Sequence, residues 1–96
     1  MTANPSIRAR VIVSGRVQGV AYRAFAHKAA LREGLCGGVR NLKDGRVEVE
    51  VEGNKQAVEE FIKSLKAGPP LARVDDLQVQ WEPATGQYSD FRIWYS

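Results

Sequence analysis

The segment Arg46–Glu52 constrains the fold more than any other stretch of the chain. It alternates three valines with charged residues at every other position. Because successive side chains of a strand point to opposite faces, this pattern predicts a strand with one buried and one charged face. Such a strand is typical of an antiparallel sheet that is covered on one side. We expect Glu48, Glu50 and Glu52 to face water on the open side.

Apolar periodicity on either side of this segment predicts the remaining elements. They are a strand over 7–14, a helix over 22–32, a strand over 39–42, a helix that begins after Asn54, a strand around 77–81 and a short strand over 91–95. The order is β-α-β-β-α-β plus a short terminal strand. This order predicts a ferredoxin-like α+β sandwich, in which two helices cover one face of an antiparallel sheet.

Local signals set the ends of these elements. Asp44-Gly45 predicts a hairpin turn with positive φ at both positions. Gly34 is expected to end the first helix, and Gly68 with the two following prolines to end the second. The predicted buried stripe of the first helix is Tyr22, Phe25, Ala26, Ala29 and Ala30. That of the second helix is Val58, Phe61, Ile62 and Leu65.

Length and composition predict one domain over residues 1–96, with residues 1–6 as a flexible arm. The single cysteine, Cys36, excludes an intramolecular disulfide and is compatible with a reducing compartment. No apolar stretch is long enough to span a membrane, and the first residues lack the features of a signal peptide. We therefore expect a cytoplasmic protein with no membrane partner.

The loop Gly15–Arg23 is the strongest candidate for a functional site. It joins the first predicted strand to the first predicted helix and ends in an arginine. A cation at a helix N-terminus is unfavourable by roughly 0.3–1 kcal/mol. This arrangement predicts that the loop holds an anion, because Gly-containing turns and helix N-termini both present free N–H groups. The alternative is a plain strand-to-helix turn with a solvated arginine.

The charge distribution favours a small anionic ligand. The first 32 residues contain six basic and no acidic residues, whereas the net charge of the chain is only +3. RNA-recognition domains share the predicted element order, and a pI near 9.3 suits them. However, they stack bases on aromatic side chains of the sheet, and here the open face is expected to carry glutamates and no stacking aromatics. We therefore expect no nucleic-acid partner.

Two motifs in this chain resemble those of the acylphosphatase family. The first motif matches from Gly15 to Arg23 without a gap. The second matches at Gly37, Val39, Arg40, Asn41, Gly45, Val47 and Gly53. The resemblance covers nearly the whole chain. It departs at Gly38, where the family usually has an aromatic residue, and a glycine there is expected to loosen the strand near Asn41.

The resemblance implies hydrolysis of small acyl phosphates to a carboxylate and inorganic phosphate, with no metal and no cofactor. It gives Arg23 the role of binding the phosphate and Asn41 the role of positioning the attacking water. The backbone amides that would complete the phosphate site are those of Gln18, Gly19, Val20, Ala21 and Tyr22. An amide side chain cannot act as a strong base, so we expect a substrate phosphate oxygen to receive the water's proton.

Other interpretations remain open at this point. Larger hydrogenase-maturation proteins carry a similar domain, and such a domain could bind an acyl or carbamoyl phosphate for another protein. Their loop tends to read Gly-Phe-Arg-Pro, whereas this chain has Ala21-Tyr22-Arg23-Ala24, which favours a stand-alone enzyme. It could also be an inactive fold member that serves as an interaction surface. Metal binding is not expected, because His27 and Cys36 are the only histidine and cysteine. Short edge strands seldom pair between chains, so we expect a monomer.

Overall fold

The computed structural model describes residues 6–95. The strands are β1 (Ser6–Arg16), β2 (Cys36–Asn41), β3 (Val47–Asn54), β4 (Arg73–Pro83) and β5 (Phe91–Ile93), and the helices are α1 (Tyr22–Arg32) and α2 (Lys55–Ala67). The predicted order of elements and the ferredoxin-like class are confirmed. The flexible arm predicted for residues 1–6 lies outside the described residues, except for Ser6, which begins β1.

The five strands form one sheet in the order β4-β1-β3-β2-β5. The first four pair antiparallel, but β5 runs parallel to β2. The prediction of an antiparallel sheet is therefore wrong for β5. Pro83, at the end of β4, pairs with Ile7 at the start of β1. β2 also starts at this end of the sheet. The chain then crosses to the other edge and re-enters at that end, so β5 must run alongside β2 in the same direction.

The two helices and one face of the sheet enclose the core. The predicted stripe of α2 is confirmed, since all four of its residues are buried. In α1 the prediction holds except for Phe25, which is only half-buried. The buried hydroxyl of Tyr22 donates a hydrogen bond to the Leu65 carbonyl at 2.6 Å, which joins the first turn of α1 to the last turn of α2. Burial raises the pKa of this hydroxyl above its usual range.

The helix ends follow the sequence signals, but the hairpin differs. Asn54 caps α2 as predicted, because its side chain accepts from two backbone N–H groups of the first turn. In the β2–β3 hairpin only Gly45 has positive φ, at 96°, so positive φ at Asp44 is a wrong prediction. The loop has three residues: the Leu42 N–H donates to the Arg46 carbonyl, and the Gly45 N–H donates to the Leu42 carbonyl. A loop of this length needs positive φ only at its last residue.

The strand glutamates lie on the open face as predicted, but the prediction that they face water is wrong. Glu48 is 2% exposed and Glu52 is 6% exposed. Neighbouring strands place arginines beside them. Glu48 is held between Arg10 of β1 and Arg40 of β2. An ionised carboxylate tolerates burial only when it is paired in this way.

The connection between β4 and β5 covers the other end of this charged face. The Thr85 hydroxyl and two backbone N–H groups of the connection donate to the Glu52 carboxylate. The Tyr88 hydroxyl donates to Glu50 at 2.6 Å. Arg8 donates to three glutamates, which are Glu50, Glu52 and Glu82. We call the side chains of Arg8, Arg10, Arg40, Glu48, Glu50, Glu52, Glu82 and Tyr88 the open-face network.

The space over Gly38 is filled by Trp94. A Cβ built on Gly38 would collide with the indole ring. The Trp94 backbone N–H donates to the Val39 carbonyl at 2.8 Å, and the Arg40 guanidinium lies 5.4 Å from the ring centroid. The Trp94 side chain, in the segment after β5, thus packs over β2 in the place that a side chain at position 38 would take. Tyr88 and Trp94 place aromatic rings on this face, where the sequence predicted none. Each ring makes a cation–π contact, Tyr88 with Arg8 and Trp94 with Arg40.

Candidate active site

The end of the sheet where β1 and β2 finish contains a small cavity of about 210 Å³. Its lining residues are Val17, Gly19, Ala21, Tyr22, Arg23, Ala24, Asn41, Ile93 and Tyr95. They come from the β1–α1 loop, the start of α1, the end of β2 and the segment around β5. Clefts for drug-sized ligands hold roughly 300–1,000 Å³, so this cavity suits a smaller molecule.

The β1–α1 loop, which contributes Val17, Gly19 and Ala21 to the cavity lining, has backbone N–H groups without an acceptor in the described residues. Ala21 precedes α1 in the left-handed conformation, with φ 63° and ψ 27°, and Gly19 also has positive φ. No side chain caps the helix. Within residues 6–95, no carbonyl or side chain accepts a hydrogen bond from the amides of 18–22. Successive free N–H groups at a helix N-terminus form a site that favours an anion.

Gln18 fixes this loop to the β2–β3 hairpin. Its side-chain amide donates to the Leu42 carbonyl at 2.8 Å and to the Arg46 carbonyl at 2.9 Å. One side chain thereby connects the loop that follows β1 to the residues that follow Asn41. Both N–H groups of this amide therefore hold the β1–α1 loop against the hairpin.

Arg23, in the first turn of α1, brings a permanent positive charge to the cavity. The first turn of α1 contains no acidic residue, and within residues 6–95 no carboxylate pairs with Arg23. The guanidinium carbon lies 5.1 Å from the ring centroid of Tyr95, which is a cation–π contact. The planar guanidinium therefore keeps its hydrogen-bond donors available for an anionic ligand.

Asn41 is the last residue of β2 and contributes an unsatisfied acceptor. Its Oδ1 is buried and accepts no hydrogen bond within the described part of the chain. An unsatisfied buried acceptor costs about 1–3 kcal/mol. The side chain of Asn41 thus combines this buried acceptor with an NH₂ group that can donate hydrogen bonds.

The structure brings together most of the predicted site residues. Arg23, Asn41, Gly19, Ala21 and Tyr22 line the same cavity. Gln18 and Val20 are not among its lining residues: the Gln18 side chain binds the hairpin, and the Val20 side chain is buried in the core. The prediction for these two residues concerned their backbone amides, which belong to the loop.

Ile93 and Tyr95 line the cavity but were not predicted as site residues. The alternation of residues 91, 93 and 95 was a signal that could have found them, because it places both side chains on the face that holds the helices. The sequence could not show that Tyr95 reaches Arg23, because no motif connects the last strand with the first helix. This contact arises from the parallel placement of β5 beside β2.

The remaining candidates lie away from the cavity. Arg16 is exposed at the end of β1, and the His27 ring packs 6.1 Å from the Phe91 ring. Cys36 is a half-buried free thiol at the start of β2. In residues 6–95 no group of three or more His, Cys, Asp or Glu side chains could hold a metal ion. Neither helix in the same range has the length and hydrophobicity that crossing a membrane requires.

The fold and the cavity define a small α+β protein with a cavity at the junction of its first strand and first helix. A family model described as Acylphosphatase matches residues 9–93, and the chain belongs to the acylphosphatase family. The homologues indicate a hydrolase.

The similarity to individual acylphosphatases spans most of both chains. The chain is 53% identical over 85 residues to an acylphosphatase of Dehalococcoides mccartyi strain CBDB1, which covers 88% of this chain and 93% of that one. It is 59% identical over 75 residues to an acylphosphatase of Thermus thermophilus, which covers 78% and 85%. The crystal structure of acylphosphatase from Bacillus subtilis matches with a TM-score of 0.90 and 38% identity over 93% of this chain and 99% of that one.

Proposed function

We propose that residues 1–96 form a single-domain enzyme whose cavity hydrolyses the carboxyl-phosphate bond of small acyl phosphates. The observation that carries this proposal is that Arg23 and Asn41 line one cavity. Arg23 has no carboxylate partner among residues 6–95, and Asn41 brings a polar amide side chain to the same cavity. An acyl phosphate with its attacking water supplies an anion for Arg23 and a hydrogen-bond partner for the amide of Asn41. The products are a carboxylate and inorganic phosphate.

In this proposal the phosphoryl group binds at the start of α1. The Arg23 guanidinium and the free amides of Gln18–Tyr22 surround its oxygens. Hydrogen bonds to a charged group contribute about 1.5–3 kcal/mol each. Catalysis of phosphoryl transfer depends mainly on positioning and on stabilising charge at these oxygens, so a site without an acid–base pair is sufficient.

Asn41 positions the attacking water. The water is hydrogen-bonded to the side-chain amide of Asn41, which directs a lone pair of the water oxygen toward phosphorus. The new bond forms between the water oxygen and phosphorus, and the bond between phosphorus and the acyl oxygen breaks. Its electron pair leaves with the carboxylate, and the proton of the water passes to a phosphoryl oxygen. Asn41 cannot take that proton, because a neutral amide is not a strong base.

The test compares Arg23→Ala and Asn41→Ala with Arg16→Ala, an exposed arginine outside the cavity lining. Hydrolysis of benzoyl phosphate is measured with a chelator present, and inorganic phosphate serves as a competitive inhibitor. We expect Arg23→Ala to lose both turnover and phosphate inhibition. Asn41→Ala should lose turnover, a drop in kcat of about 10²-fold or more, while phosphate still binds. Equal activity of all four proteins would refute the proposal.

Two further measurements test the proposed bond changes. Hydrolysis in ¹⁸O-labelled water should place the label in phosphate, and label in the carboxylate would contradict attack at phosphorus. The pH profiles of kcat for wild type and His27→Gln should have the same shape near neutral pH, without a step that is present in wild type and absent from the variant. Such a step would mean that His27 takes the proton, in conflict with its position beside Phe91.

We also propose that the enzyme acts as a cytoplasmic monomer without a cofactor or a nucleic-acid partner. The free thiol of Cys36 supports a reducing compartment. The open-face network supports the absence of RNA binding, because its arginines already pair with glutamates. Light scattering should give a mass near 10.6 kDa, and a dimer mass would contradict this part of the proposal.

A further inference from the structure

Ile93 and Tyr95 form an apolar side of the cavity that the proposed phosphate chemistry does not use. They are alternate residues at the end of the chain, and both line the cavity. Ile93 is half-buried and packs against the core, whereas Tyr95 is 82% exposed. The charge of the cavity comes from Arg23 in the first turn of α1, and its other polar groups come from the β1–α1 loop and from Asn41 of β2. The cavity therefore has a charged side and an apolar side.

The position of Tyr95 relative to Arg23 connects these two sides. The ring centroid lies 5.1 Å from the guanidinium carbon. A phosphoryl group bound to Arg23 consequently lies next to the Tyr95 ring. The group joined to that phosphate has two directions available: toward bulk water or along the apolar surface of Ile93 and Tyr95. Burial of apolar area favours the second direction for an apolar acyl group.

We propose that Tyr95, supported by Ile93, forms a subsite for the acyl group and makes the enzyme prefer aromatic acyl phosphates to acetyl phosphate. This inference rests on the proposed function. Aromatic rings attract each other in offset-stacked or edge-to-face arrangements, and a benzoyl group is rigid, so it loses little conformational freedom on binding. An acetyl group has too little surface to gain from the same ring.

A different role for Tyr95 would give a different result. If the ring only holds Arg23 in place, its removal weakens phosphate binding, and every acyl phosphate is affected by the same factor. If the ring contacts the acyl group, its removal affects aromatic substrates selectively. The ratio of kcat/KM for two substrates therefore separates a subsite from a support for Arg23.

The first experiment measures kcat/KM for benzoyl phosphate and acetyl phosphate in wild type, Tyr95→Ala and Tyr95→Phe. The matched control is Trp81→Ala, which removes a half-exposed aromatic of β4 outside this cavity. We expect Tyr95→Ala to reduce the benzoyl-to-acetyl ratio about tenfold, Tyr95→Phe to retain the ratio, and Trp81→Ala to leave both values unchanged. If Tyr95→Ala leaves the benzoyl-to-acetyl ratio unchanged, whether or not both kcat/KM values fall, the subsite is overturned.

The second experiment does not depend on hydrolysis. Calorimetry measures the binding of phenylphosphonate and methylphosphonate, which share the anionic group and differ in the attached group. We expect wild type to bind phenylphosphonate more tightly and Tyr95→Ala to bind the two equally. If this preference exists but no acyl phosphate is hydrolysed, the subsite stands and the proposed function fails. If acyl phosphates are hydrolysed but neither assay shows a preference, the proposed function stands and the subsite fails.

Discussion

The indole ring of Trp94 occupies the space that a side chain at Gly38 would need. Gly38 lies on β2, and Trp94 directly follows β5, the adjacent edge strand. The Trp94 backbone N–H donates to the carbonyl of Val39, the neighbour of Gly38. The ring also lies 6.0 Å from the Tyr88 ring, which belongs to the open-face network. A small residue on β2 and a large one after β5 thus form one packing unit.

This unit predicts strong coupling between positions 38 and 94. Gly38→Ala forces a Cβ against the indole and should lower the free energy of unfolding by about 1–3 kcal/mol. Trp94→Ala should also destabilise, because it exposes the backbone of β2. The double variant should lose less than the sum of the two, with a coupling of about 0.5–3 kcal/mol. Urea denaturation of the four proteins measures the cycle, and additive losses would contradict direct packing.

Removal of Glu48 should destabilise the protein more than removal of an exposed carboxylate. Glu48→Ala leaves Arg10 and Arg40 facing each other without their shared partner. Since breaking a buried ion pair costs about 3–5 kcal/mol and both arginines keep some contact with water, we expect the lower end of that range. Asp75→Ala, which removes an exposed pair with Arg73, is the matched control and should leave the denaturation midpoint nearly unchanged. Equal midpoints for the two variants would refute the role assigned to Glu48.

Acid should weaken the fold through the same network. Burial raises the pKa of Glu48, but the hydrogen bonds from Arg40 and Arg10 outweigh it and hold the pKa below its ordinary value of 4.5. Burial also raises the pKa of Glu52, and bonds from Thr85 and Gly86 again hold it below that value. A depressed pKa in the folded state means that stability is present above pH 4.5 and is lost as pH falls through the folded pKa.

The measurement is the free energy of unfolding of wild type and Glu48→Gln between pH 7 and pH 2. Wild type should lose stability below pH 4.5. Glu48→Gln should be less stable at pH 7 and should lose less on acidification, because it has no proton to gain at this position. Parallel curves for the two proteins would show that Glu48 does not contribute to the acid sensitivity.

The parts of the fold that local signals define were predictable from the sequence, whereas the parts that distant segments define were not. The bounds of α1 and the cap at Asn54 follow from periodicity and from one side chain, and both are confirmed. The burial of Glu48 was not predictable, because alternation in β3 cannot show which cations the neighbouring strands place beside it. The same holds for the direction of β5, which depends on the path of the chain after Pro83.

The candidate site shows the same division. Arg23 and Asn41 belong to local motifs, and their shared cavity agrees with the expectation that they act together. The alternation of residues 91, 93 and 95 places Tyr95 on the face that holds the helices, but only the pairing of β5 with β2 brings it to the cavity and to Arg23. The two hydrogen bonds of Gln18 to the hairpin were also not predicted, because they join residues 24 and 28 positions apart.

Those hydrogen bonds predict that Gln18 acts on catalysis through position rather than through contact with substrate. Gln18→Ala removes both bonds to the hairpin, so the loop amides and Asn41 lose their fixed separation. We expect kcat/KM for benzoyl phosphate to fall by about 10- to 100-fold, since small misplacements of binding groups have effects of this size. Two lost hydrogen bonds should also lower the free energy of unfolding by about 1–3 kcal/mol.

Gln18→Glu separates positioning from simple loss of side-chain bulk. It keeps the length of the side chain but points acceptor oxygens at the Leu42 and Arg46 carbonyls, and it adds a negative charge to the anion loop. It should therefore be less active than Gln18→Ala, with weaker inhibition by inorganic phosphate. Gln80→Ala, an exposed residue of β4, is the control and should match wild type. If Gln18→Ala has full activity, the loop keeps its position without the two bonds, and the positioning role of Gln18 is wrong.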